Sequence, residues 1–524
     1  MTPRRSTPRR RAPRRPRLEQ PRWLIVPIAV TLTGLAVLIS LATPREHLLG
    51  TVLAYVNLVI VGAAAVHFVQ QRTLQGLIPV LFLVWFAAGW LLPTIYFATL
   101  YPEAVYYPMG DNRNMLFGAA WVQTVAFVFL ATYLGTFLFF QGRHAPWTFS
   151  EVNKRTERRM GVMVLWIVTA AITLHGVSQV VALPAPLVYI ASGSYNYLHG
   201  LMLMVGVLFL RLPMQTRLRA LLFLFMAGAF YLLGNARGLA VLPATLFVVG
   251  LIFLSEVEQR YKTWTVIAAC AALPIALVIG NTTRVLLGSI GFEDIGARLN
   301  ALGQWQEVLK RTPMLAATFS RLFFVGGHSI IAYTPEYFPY VKFTWSRYAY
   351  EFFTRLLPGK LFFEPFYSSN ERLQLYGFLI TEETSYPMSL LGSLYLLGGV
   401  VPVGLGALAM ALFHCGLARI IGAVRRRSPY LGLFIFSMIA STLIWSQNVD
   451  LITNVRVTAW RVLTAFVLYV IILRPFAELP AARRPTRRRV PPRRRPYPAD
   501  QRFAPPALAP AAAPRPDLSW TSRA

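Results

Sequence analysis

Apolar residues in this chain fall in runs of about 20 positions, long enough for one helix to cross a hydrocarbon core, with short polar stretches between them. Twelve runs are legible: 23 to 42, 48 to 69, 74 to 100, 115 to 140, 160 to 182, 187 to 210, 217 to 233, 238 to 254, 263 to 281, 387 to 414, 431 to 447 and 457 to 473. The pattern predicts an all-α, polytopic integral membrane protein of about twelve transmembrane helices. Composition agrees, because a chain that is 56% apolar in uninterrupted runs exceeds what soluble cores use. The run from 187 carries Ser192, Ser194, Asn196 and His199 in its first half, which also fits a re-entrant segment.

Basic residues set the expected orientation, since short cytoplasmic loops carry an excess of Lys and Arg. With the N-terminus inside, the short inner loops hold 15: Arg72, Arg143, Lys154, Arg155, Arg158, Arg159, Arg211, Arg217, Arg219, Arg260, Lys262, Arg419, Arg425, Arg426 and Arg427. The short outer loops hold four, Arg45, Arg113, Arg237 and Arg456. An even number of spans returns the C-terminus to the inner side, so both termini are expected in the cytoplasm.

A formal net charge of +30 raises nucleic acid as a partner, but the charge is concentrated where it argues otherwise. Residues 1 to 22 and 475 to 524 are Pro/Arg tracts with almost no aliphatic content, predicted to be disordered, and they carry about half of the excess. Flanking tails of this kind enforce topology and attract anionic lipid headgroups. Anionic lipids, and no nucleic acid, are the expected partners of the tails. The first basic stretch and the apolar run that ends near Ser40 and Ala42 have the outline of a signal peptide, but the run is too long, and it reads as a retained anchor. Cys270 and Cys415 both fall within spans, which argues against a disulfide framework or a thiolate metal site.

The expected organisation is a basic tail (1–22), nine spans (23–281), one large external segment (282–386), three further spans (387–474) and a second basic tail (475–524). The external segment is aromatic-rich, with helix-like stretches at 295–311, 314–332 and 343–357, and its ten Lys/Arg nearly balance nine Asp/Glu. A long ordered segment is generally functional, and a charged, aromatic cap suits a polar substrate presented at the membrane surface. Arg321 and His328 stand two helical turns apart and share a face if a helix runs through Gly326 and Gly327. Arg347, Glu351 and Arg355 follow i, i+4, i+8 spacing, which lets one carboxylate bridge two guanidiniums, and which equally makes an ordinary salt-bridge ladder. Arg237, in Gly-Asn-Ala-Arg-Gly between two spans, is costly in lipid and is expected either to face a polar cavity or to snorkel to the interface.

Four features in sequence then resemble the bacterial O-antigen and oligosaccharide repeat-unit polymerases. They are GNARG before a late span, the large external loop, LLPGK (Pro358 to Lys360) after an aromatic helix, and a small-residue-rich stretch opening SYPMSLLGSLYLLGGVVPVG. The resemblance covers roughly residues 215 to 415. It implies a multi-pass protein of the bacterial cytoplasmic (inner) membrane that joins polyprenyl-diphosphate-linked oligosaccharides on the outer face by inverting, metal-independent glycosyl transfer. A chain-length regulator and a flippase are the implied protein partners. Arg237 is the residue that carries over.

The chemistry of such a transfer fits arginines. A diphosphate leaving group gains negative charge as the glycosidic bond breaks, and guanidiniums bind phosphate bidentately while staying protonated. In this reading Arg237 and Arg321 hold the diphosphate, Arg284, Arg347, Arg355, Lys360 and Glu351 support binding, and His328 is the candidate base, with Glu336, Glu351 or Glu382 as other choices. No cofactor is expected. The seven histidines are scattered, and the adjacent carboxylate pairs Glu293-Asp294 and Glu382-Glu383 are more often solvated charge than a divalent site. Three rivals stay open. A monosaccharide transferase using polyprenyl-phosphate sugars usually needs an acidic residue in its first external loop, where TPREH offers only Glu46. A ligase would use the same donor with another acceptor, whereas a transporter or flippase would show charged residues or broken helices in mid-span.

Overall fold

The computed structural model describes residues 22–71, 73–100, 118–142, 154–180, 198–233, 237–255, 261–268, 295–307, 389–446 and 449–474, with isolated positions between them, His328, Ile331 and Ala332 included. All of these fall in the compact unit Met1–Ala477; the second unit, Glu478–Ala524, lies outside the described residues. Among the described residues every regular element is helical.

Thirteen helices are named here in chain order: α1 (Arg22–Ala42), α2 (Leu48–Gln70), α3 (Leu74–Leu100), α4 (Ala119–Phe140), α5 (Lys154–Val180), α6 (Met202–Leu208), α7 (Met214–Leu233), α8 (Arg237–Val249), α9 (Ile295–Gly303), α10 (Leu390–Leu396), α11 (Val400–Arg427), α12 (Pro429–Trp445) and α13 (Leu451–Leu468). Among the described residues, six helical stretches are long and apolar enough to cross a membrane: Arg45–Gln70, Leu74–Leu100, Ala119–Phe140, Glu157–His175, Val400–Arg427 and Leu451–Ile472. Four shorter apolar helices accompany them, Ile28–Ala42, His199–Arg211, Leu242–Leu254 and Pro429–Trp445.

Helix α3 is the axis of the bundle, with 78% of its most apolar window buried against protein, whereas 22% of the corresponding window in α13 is buried. Lipid supplies no hydrophobic force between helices, so shape complementarity and polar contacts must hold α3 in place. Phe82 and Phe86 interleave with Phe129 and Tyr133 of α4, at 4.7 Å between the Phe82 and Tyr133 rings and 5.6 Å between Phe86 and Phe129. The Tyr133 hydroxyl meets Nδ1 of His414 on α11 at 2.7 Å. A π-helical turn at Ala87–Leu91 displaces the backbone of α3, and Gln123 of α4 responds to it: its Nε2 donates to the Trp90 carbonyl at 2.8 Å and to Thr94 Oγ1 at 2.9 Å. Asn57 of α2 donates in turn to the Gln123 carbonyl at 3.0 Å, so one amide pair ties α2, α3 and α4 together.

Side-chain contacts sort the helix ends into two sets. At one end Gln71 meets Gln141, Arg419 donates to the Phe140 carbonyl, Arg211 pairs with Glu157, the Tyr430 hydroxyl bonds Glu157, and Ser428 bonds Tyr469. At the other end Gly50 packs on Ala119, Gly118 on Ala332, and Trp121 donates to the Tyr395 hydroxyl at 2.9 Å. Arg158, Arg159, Arg217, Arg219, Arg425, Arg426 and Arg427 all lie within a few residues of the first set, so this end of the bundle is the basic one.

Three boundaries differ from those the sequence suggests. The run read as one span from 387 to 414 is two helices, so the stretch 389–474 holds four helical elements where three spans were expected. Short α10 is buried at all seven positions, and the chain then turns through Gly398 (φ 142°) and Gly399 (φ 82°) before α11 begins. Both glycines hold backbone angles that residues with a Cβ rarely adopt, which is why the break falls there inside an apolar run. Helix α11 carries the basic residues through Arg427, so Arg419 and Arg425 to Arg427 are helical rather than in a loop. Arg456, expected in an outer loop, lies inside α13, whose start is capped by Asp450: Oδ1 accepts from Thr453 N at 2.8 Å and Oδ2 from Thr453 Oγ1 at 3.0 Å.

Candidate functional site

Helices α12 and α13 meet along two polar stripes. On α13, Asn454, Thr458 and Arg461 recur at i, i+4 and i+7 and are all buried, so they share the face turned to α12. On α12, Ser437 and Ser441 stand one turn apart, both fully buried. The Arg461 guanidinium donates through Nη1 to Ser441 Oγ and to the Met438 carbonyl, the latter at 3.2 Å. Asn454 donates to the Ser446 carbonyl at 2.8 Å and to Val449 at 3.3 Å, closing the seam near the α13 cap.

Arg461 sits three turns into an apolar span, far from either end. A guanidinium stays charged at any physiological pH, so this seam puts a permanent positive charge inside the bundle, where it acts with little screening. Such residues mark ligand paths or gating elements more often than packing positions. A third element closes on the seam: the 3-10 turn His199–Leu201 lays Gly200 against the Ser437 carbonyl and Met438, so closely that no Cβ fits. His199 is buried beside it. Ser437 Oγ has no hydrogen-bond partner among the described residues.

Of the residues the sequence singles out, Arg237 is the first residue of α8, and its side chain is outside the described positions. Helix α8 packs against α6 and α7 and touches both α12 and the His199 turn, which brings its line of descent next to the seam. His328 is helical and buried; with Ile331 and Ala332 it follows i, i+3, i+4, and Ala332 rests on Gly118 at the end away from the basic residues. Arg284, Arg321, Arg347, Glu351, Arg355 and Lys360 lie outside the described residues, as do Glu336 and Glu382.

Arg461 and its partners are absent from the sequence-based set. Starting the last span at 457 leaves Asn454 in a loop and hides the stripe. The signal was present as N-x3-T-x2-R facing S-x3-S in two consecutive apolar segments, TNVRVTAWR and SMIAS. Helical phase, rather than hydropathy alone, exposes it. Comparison of the chain with protein-family models, curated proteins and solved structures returned no match.

Proposed function

We propose that this membrane protein polymerises lipid-diphosphate-linked oligosaccharide repeat units, transferring a growing chain onto the non-reducing end of a newly delivered unit by metal-independent inverting glycosyl transfer. The observation that carries the reading is Arg237 as the opening residue of α8, at the end of the bundle opposite the basic cluster. A helix start offers unsatisfied backbone N–H groups, and a guanidinium beside them adds bidentate donors suited to a diphosphate. Arg321 is the second phosphate-binding arginine of the proposal and His328 its base, with Arg284, Arg347, Arg355, Lys360 and Glu351 supporting the glycan. Twelve spans, cytoplasmic termini and a bacterial inner-membrane location belong to the same proposal.

The test is a reconstituted protein supplied with polyprenyl-diphosphate-linked repeat units, read as a ladder of products. Activity is expected to persist in excess chelator, and Arg237→Lys, which keeps charge but removes the planar fork, is expected to reduce turnover at least a hundredfold with normal membrane insertion, in the range of a lost transition-state donor. A full ladder from both Arg237→Lys and Arg237→Ala would return Arg237 to an interfacial role.

Two observations favour a second reading as a transporter or flippase of the same lipid-linked glycans: Arg461 in mid-span and the broken pair α10 and α11. Both are features of transport proteins. Labelled lipid-linked oligosaccharide crossing a proteoliposome bilayer without any increase in glycan length would select that reading over the polymerase.

A further inference from the structure

On the lipid-facing side of the bundle, α5 and α7 leave a groove of about 320 Å³ between them. Val162, Leu165, Trp166 and Thr169 line it from α5, at helical spacing that makes one continuous stripe. Thr216, Arg219, Leu222 and Phe223 line it from α7. Both helices start at the basic end, so they run side by side in the same direction, and Thr216 and Arg219 form the mouth while Leu222 and Phe223 lie deeper. Trp166 and Leu222 are each 61% exposed, so the groove opens toward lipid rather than into the core.

The arginines near this mouth divide into two kinds. Arg211 is paired with Glu157 at 3.8 Å, and Arg217 donates to the Leu210 and Leu212 carbonyls, so both serve the fold. Arg219 and Arg158 are exposed, and among the described residues neither has an acidic partner. Arg158 stands four residues before Val162, on the same stripe of α5, which brings it above the groove that Arg219 enters from α7. An apolar trough with two uncommitted guanidiniums and a threonine hydroxyl at its mouth is complementary to an amphiphile with a phosphate at one end. Basic pockets between spans on one face of a membrane protein recognise headgroups in this way.

We infer that this groove binds one anionic phospholipid from the leaflet at the basic end, its acyl chain along Leu165, Trp166, Leu222 and Phe223 and its phosphate between Arg158 and Arg219. The inference uses no residue of the tails or of the proposed transfer, and it stands whether or not that reading holds. Its volume lies at the lower bound of ligand pockets, about 300 Å³, which suits part of one acyl chain rather than a bulky ring system.

The experiment titrates the purified full chain in neutral detergent with phosphatidylglycerol or phosphatidylcholine and follows the tightest lipid adduct by native mass spectrometry. Phosphatidylglycerol is expected to bind more tightly. The double variant Arg158→Gln/Arg219→Gln is expected to weaken that adduct roughly thirtyfold, as two headgroup-contacting cations would. Leu222→Trp, which fills the trough at an exposed position and leaves the arginines intact, is expected to abolish it. Equal affinity for the two lipids, or an unchanged adduct in either variant, overturns the inference, the first by removing the headgroup and the second by returning the charge to the tails or the chain to bulk lipid. Displacement of phosphatidylglycerol by polyprenyl phosphate at lower concentration also overturns it, because the groove would then hold the tail of a polyprenyl lipid.

Discussion

At Arg461 a buried guanidinium donates to a serine hydroxyl and a backbone carbonyl, and the two explanations for its presence make opposite predictions. If it only joins α13 to α12, an apolar side chain of similar length should do as well, because replacing buried ionic groups by packed hydrophobic ones is often neutral or stabilising by about 1–4 kcal/mol. We expect Arg461→Met to keep or raise the thermal midpoint in detergent and to abolish activity in the reconstituted assay, ladder or transport alike. Ser441→Ala, which strips an acceptor from a charge that stays buried, is expected to cost about 1.5–3 kcal/mol, measured as a lowered midpoint. An active Arg461→Met protein would make the seam purely structural.

At the scale of elements, two glycines decide how closely α6 and α8 approach. A Cβ on Gly206 would collide with the Phe247 carbonyl, and one on Gly250, which opens the π-helical turn continuing α8, with the Leu203 carbonyl, so each backbone presses into the other at a notch. Neighbours that are backbone cannot swing away. Gly250→Ala is therefore expected to force α6 and α8 apart at a cost of about 1–3 kcal/mol, while Gly416→Ala, whose added methyl would meet nothing within 4 Å, should stay within about 0.5 kcal/mol of the parent. Thermal unfolding of the two variants in one detergent checks both. Among the described residues the elements were largely legible in the sequence: the apolar runs stop at Val69 and restart at Leu74, one residue short of the end of α2 and at the start of α3. Two things were not. The break before α11 is conformational, set by the left-handed angles of Gly398 and Gly399 inside a run that stays apolar on both sides, and hydropathy averages across it. The α12 and α13 seam depends on which faces meet, information that resides in helix phase and packing. Of the residues chosen from sequence for chemistry, Arg237 is placed at a helix start and His328 in a buried position, while Arg321, Arg347, Glu351 and Arg355 are argued from spacing and Lys360 from the Pro-x-Lys element of the resemblance.

At the scale of the molecule, the contacts that sort helix ends among the described residues agree with alternation of those helices between two faces, one of them basic. Charge asymmetry of this kind orients membrane proteins with the basic face toward the cytoplasm. In a cysteine-free background, Arg427→Cys is expected to react with a membrane-impermeant maleimide only after the cytoplasmic side is opened, and Ser369→Cys in intact cells. Labelling of Ser369→Cys from the cytoplasm alone would invert the molecule and move every proposed transfer residue to the wrong compartment.

The seven buried residues of α10 have a bearing on biogenesis. A segment this short cannot be recognised as a span during insertion, since crossing takes about 20 residues. Its Tyr395 hydroxyl accepts from Trp121, made 274 positions earlier, and α11 reaches back as far for Tyr133 and Phe137. Early helices must then wait in the bilayer with an unfilled flank while most of the remaining chain is synthesised. A ribosome that stops before Leu390 is expected to release a product that inserts and yet leaves Tyr133, fully buried in the complete chain, without its His414 partner, a half-built core for membrane proteases to find.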